Sequence, residues 1–160
     1  MIKFLALLLT VLYASAAFAQ KPAEFAGKWA FERTKSNAGK GSSFATESTH
    51  ILTIKQDPNT ISITMVTIVN GAVRDTTVDE YTLDGKETVT PSGGQELKTM
   101  AKWSNDKKRL TITTSMTYQG NEHRNDDVYF LSANGTVLTI ESAYKSANGV
   151  SKMIKVYSKQ

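Results

Sequence analysis

Two histidines and fifteen carboxylates are what this chain of 160 residues offers for acid–base chemistry, and one short stretch, Glu122, His123, Asp126 and Asp127, gathers them. An imidazole beside three carboxylates has the composition of a metal or proton-transfer site. Set on the rim of a hairpin, the same residues make a solvated turn, and we read them so. His50 stands at the start of a candidate strand with no partner visible in the sequence. Ser142-Ala143-Tyr144-Lys145 and Ser104-Asn105-Asp106-Lys107 both match the serine-x-x-lysine spacing of a nucleophile and its base. That spacing brings the two side chains together on a helical turn, whereas here one pair lies in a strand and the other in a hairpin loop. There is no G-x-S-x-G elbow, no phosphate loop and no H-E-x-x-H. With no cysteine in the chain, thiolate catalysis and disulfides are excluded. The expectation is a protein that is not an enzyme, with no catalytic residue, no metal and no cofactor.

The elements that position these residues are strands. Asn70-Gly71, Asp84-Gly85, Gly93-Gly94, Gln119-Gly120, Asn134-Gly135 and Asn148-Gly149 recur at near-regular intervals, and such pairs supply the positive φ angles of tight hairpins. Between them apolar and polar residues alternate. In 109–118, Leu110, Ile112, Met116 and Tyr118 fall on one face and Thr111, Thr113, Ser115 and Thr117 on the other, as in a strand with one buried side. Ten strands are expected, at about 27–33, 49–56, 60–69, 72–82, 87–91, 96–104, 109–118, 122–132, 136–145 and 150–158. An open meander of ten strands has two bare edges, so an all-β, up-and-down antiparallel barrel is expected, its first strand paired to its last. Thr34 to Ser48 is small, polar and glycine-bearing, and reads as a mobile loop over one mouth.

The N-terminal segment has a different purpose. Lys3 gives a positive n-region, Phe4 to Tyr13 an apolar run too short to span a bilayer, and Ala17-Phe18-Ala19 a small-x-small cleavage site before Gln20. Residues 1–19 are read as a signal peptide and 20–160 as a single domain, which implies a periplasmic or secreted protein without stable membrane insertion. The formal net charge is only +4, with lysines scattered among acids, so no nucleic acid is expected as a partner.

The aromatic residues, Trp29, Phe31, Trp103, Tyr129 and Tyr157 among them, are spread over most strands and are read as core filling. Both ends of the chain then become specific. Phe25-Ala26-Gly27-Lys28-Trp29 resembles the F-x-G-x-W that opens the first strand of the fatty-acid-binding proteins, and its G-x-W core resembles the lipocalin start signature. Lys155-Val156-Tyr157-Ser158-Lys159 is similar to the R-x-Y-E-K of the former family's last strand, and Ala101-Lys102-Trp103-Ser104-Asn105-Asp106 to its Q-K-W-D-G hairpin. The resemblance, which extends to lipocalin-like bacterial envelope proteins, implies a calycin-type barrel around a small hydrophobic molecule, with Trp29 closing one end. It also implies that Lys155 and Tyr157 hold a ligand carboxylate, with a lysine point charge in place of the arginine fork.

Two orientations of the last strand are open to it. Either Met153, Lys155 and Tyr157 face inward, or Ile154 and Val156 do, since a shift of one residue inverts every side chain. Tyr157 has more apolar area to bury than Val156, which favours the first. The leading functional expectation is an exported binding protein for a small hydrophobic or amphipathic ligand. The alternative is a packed barrel acting through its outer surface as an inhibitor or envelope interaction module with a protein partner.

Overall fold

A computed structural model describes residues 21–37 and 48–160. The signal-peptide segment and residues 38–47 of the expected loop lie outside the described residues. Ten strands follow in order: β1 Gly27–Phe31, β2 Ser48–Gln56, β3 Thr60–Val69, β4 Ala72–Thr82, β5 Thr88–Ser92, β6 Gln95–Trp103, β7 Arg109–Tyr118, β8 Asn121–Leu131, β9 Val137–Ser146 and β10 Gly149–Lys159. A short 3-10 turn, Arg33–Lys35, follows β1, and its exit bridges Asn37 to Ile154 of β10.

The turn chemistry does what the glycine pairs predict. At Asn70-Gly71 both residues have positive φ, 52° and 76°, and at Gln119-Gly120 the angles are 49° and 77°. Two consecutive left-handed residues match the right-handed twist of the flanking strands, so β3–β4 and β7–β8 close as tight hairpins.

All ten strands form one antiparallel sheet in the order β4-β3-β2-β1-β10-β9-β8-β7-β6-β5. The first and last strands pair, Trp29 against Lys159 and Phe31 against Tyr157. The sheet's margins are β4 and β5, and no ladder joins them among the described residues. β4 instead lies near β6 across a crevice of about 250 Å³ floored by Ala101 and walled by Tyr81 and Thr88. Pro91 sits in β5, where an edge position lets a residue without an N–H break no second ladder.

Register fixes which side chains share the inner face. One row runs Trp103–Leu110–Tyr129–Ile140–Lys155, the next Ala101–Ile112–Asp127–Ser142–Met153, and the next Thr99–Thr114–Asn125–Tyr144–Ser151. The alternation in 109–118 is therefore real in space, with one refinement. Thr113, on the outer side, is also buried, because its hydroxyl donates to Asp126 Oδ1 at 2.6 Å.

The core sits at one end. Phe25, Trp29, Ile61, Leu110 and Leu138 are fully buried there, and Phe25 stacks on Trp103 with ring centroids 5.7 Å apart. Trp29 Nε1 donates to the carbonyl of Phe25 at 2.9 Å, so burying the indole leaves no orphan donor. Gln56 ties the incoming segment down at the same end: its Oε1 accepts from Phe25 N and its Nε2 donates to Ala23 O, both at 2.9 Å.

Candidate functional site

The opposite end, beyond the turn at Gln119-Gly120, is not filled. A cavity of about 260 Å³ opens there between the inner faces of β6 to β9. Leu97 and Met116 give it an apolar wall, Thr114 and Asn125 a polar floor, and Tyr144 and His123 a rim. The Tyr144 hydroxyl and His123 Nδ1 are 2.6 Å apart, so the hydroxyl donates to the ring in the tautomer that carries its proton on Nε2. Tyr118 meets His123 edge-on at 6.4 Å and is half exposed, placing an aromatic collar around the opening.

The row beneath the floor holds Asp127, whose carboxylate accepts a hydrogen bond from Ser142 Oγ of the neighbouring strand. Three tyrosines from three strands feel its charge. Burial pushes the phenols of Tyr81, Tyr129 and Tyr157 well above the ordinary tyrosine value, and the nearby Asp127 carboxylate adds to the shift in each. A second electrostatic pole lies on the β1–β2–β10 side. There His50 is held below the ordinary histidine value by burial, with the positive charges of Lys155 and Arg33 adding to the effect. His50 Nδ1 lies 3.3 Å from Thr67 Oγ1, and its ring meets Phe31 edge-on at 5.5 Å. Arg33 Nη2 donates to the carbonyl of Ser48.

The residues singled out in the sequence are dispersed by strand alternation. Glu122 and Asp126 lie on the outer side of β8 with Arg124, which grips Asp126 at 2.8 Å; that contact, with Thr113, holds the Asp126 carboxyl below the usual carboxylate range. His123 and Asp127 lie on the inner side. Among the described residues no group of three His, Cys, Asp or Glu is placed to hold a metal ion. In β9, Ser142 points inward to Asp127, whereas Lys145 is on the other face. Ser104 is used up within its own hairpin, its hydroxyl donating to Asp106 Oδ1 at 2.6 Å.

On β10, Tyr157 is 1% exposed and packs edge-on against Phe31 at 5.5 Å, while Ile154 is 40% exposed. The strand therefore turns Met153, Lys155 and Tyr157 inward. Val156 is buried as well, but on the outer side, where the Arg33–Asn37 segment covers it: Glu32 N donates to its carbonyl at 2.8 Å and its N–H to Ser36 Oγ at 3.0 Å. Lys155 is half-buried, and neither it nor Tyr157 borders the open cavity. Sequence reasoning weighed His123 and Asp127 but set them in a solvated turn, and it missed Leu97, Thr114 and Asn125 of the cavity wall. The signal available was the alternation His123–Asn125–Asp127–Tyr129, which shares one face with the core residue Tyr129.

Ten antiparallel strands in meander order, the first paired to the last around an interior plugged at one end, have a calycin-like fold, with no ladder between β4 and β5 among the described residues. Among solved structures, the zebrafish ileal bile acid-binding protein, crystallised with cholic acid, has this fold: 85% of this chain matches 98% of that one, with a TM-score of 0.58 and 17% identity. No family model matches the sequence, and no curated protein matches it. The likeness is one of fold.

Proposed function

We propose that the protein is an exported, non-enzymatic carrier that holds a small amphipathic ligand in the cavity at the unplugged end of the barrel. The observation that supports it is the cavity itself. An apolar wall with a few convergent polar groups is the usual construction of a small-molecule site. Its size argues for a compact ligand, because a cavity of roughly 150 Å³ already accepts benzene. The zebrafish neighbour was crystallised with a bile acid, which agrees with an amphipathic occupant. Export rests on the n-region, apolar run and cleavage site of residues 1–19.

Titration of the purified protein with an uncharged solvatochromic dye tests the reading, together with solvent extraction for co-purified ligand. Saturable emission is expected, and Leu97→Trp, which fills the cavity, is expected to weaken binding about tenfold or more while leaving the far-ultraviolet spectrum unchanged. Absence of both dye binding and extractable ligand overturns the proposal. A second reading, docking of a protein partner, draws on one feature: Val73 and Val78 are 66% and 65% exposed on the margin strand β4, whose outer edge carries no ladder among the described residues. Stoichiometric capture of one envelope protein, lost on deleting those side chains, would favour it.

A further inference from the structure

From the placement of Asp127 we infer that the ligand's polar end is an organic cation, a protonated amine or quaternary ammonium, rather than a carboxylate. This deepens the carrier reading and rests on it. Register sets Asp127 on the inner face directly below Asn125, which floors the cavity. Its carboxylate has one hydrogen bond, from Ser142, and no Lys, Arg or His within ion-pair distance among the described residues. A carboxylate offers about four acceptor positions, so most of this one's capacity is left unused by the described protein donors.

The surrounding groups favour the same charge. Tyr129 follows Asp127 by two residues on the same face of β8, and Tyr118 and Tyr144 stand at the opening. Aromatic faces attract cations and repel anions through the ring quadrupole. The cavity wall contributes no lysine or arginine to receive an acid group. Lys155, which alternation places on the inner side of β10 as it does Lys159, pairs in register with Ile140 in the deeper row, and its charge is felt by His50 on the far side of β10. An anionic head entering this cavity would approach a carboxylate that no Lys, Arg or His pairs among the described residues, whereas an ammonium would form a charge-assisted contact there.

Octyltrimethylammonium, octanoate and octanol share a tail and differ in head charge, so their displacement of the uncharged dye reads the inference directly. The wild-type protein is expected to bind the ammonium about tenfold or more tighter than the carboxylate. Asp127→Asn keeps the shape and the acceptor for Ser142, and is expected to abolish that preference while octanol affinity stays within about twofold of wild type. Circular dichroism confirms that the variant is folded, and the wild-type ratio stands alone if it is not. Octanoate binding as tightly as the ammonium to the wild-type protein, or a ratio unchanged in Asp127→Asn, overturns the inference and leaves the carrier reading standing. Failure of all three compounds to displace, with no dye bound, overturns both.

Discussion

The two ends of this barrel are built from the same strands and could hardly differ more in content. At one end Phe25, Trp29, Leu110 and Leu138 are fully buried and an aromatic stack, Phe25 on Trp103, fills the interior. At the other, the inner face carries Thr114, Asn125, Asp127 and Ser142, and a cavity remains. A chain with no cysteine has no disulfide to hold it, so burial at the packed end supplies stability and frees the other end to carry polar groups that would be costly in a dry core. Dense packing and open space are thus segregated along the barrel axis.

The hardest test of that division is Trp29→Ala. Removing an indole buried in a packed end forfeits its transfer energy and opens a void, so a loss of about 3–5 kcal/mol is expected in urea unfolding. A loss below about 1 kcal/mol would show that the packed end does not carry the fold.

A smaller effect concerns the basic pole. His50 is held below its ordinary value of 6.5, so the folded state favours the neutral ring. The stability this gives is fully present above the ordinary value and is lost as pH falls through the folded-state value. Thermal midpoints measured from about pH 8 to 5 should fall for the wild-type protein, and His50→Gln should flatten that part of the profile. An unchanged slope would mean that His50 titrates alike in both states.

The smallest effect is expected at the cavity wall. Met116 borders open space, so Met116→Ala should cost about 1 kcal/mol or less, well under a core truncation, while altering dye affinity. A cost equal to that at Trp29 would erase the distinction between the ends.

Much of the fold was legible locally. The boundaries of β3, β4 and β7 coincide with those read from alternation and turn residues, because a hairpin's positive φ angles are demanded of particular residues, as at Asn70-Gly71. The orientation of β10 followed from the larger apolar area of Tyr157, though the burial of Val156 did not, since it depends on the Arg33–Asn37 segment folding back over the outer side. The site was far less legible. In β8 both faces mix charge and apolar residues, Glu122–Arg124–Asp126–Val128 against His123–Asn125–Asp127–Tyr129, so binary pattern could not say which face is inside.

By itself, then, the sequence determined the number of strands, their turns and the alternation within each, because these are set by φ preferences and side-chain period over a few residues. Tertiary structure alone decided that no ladder joins β4 to β5 among the described residues, that Glu122 and Asp126 part company with His123 and Asp127, and that the end opposite Trp29 stays open. Those outcomes depend on register between strands distant in the chain, and register is fixed only when all the rows of a barrel compete for the same interior.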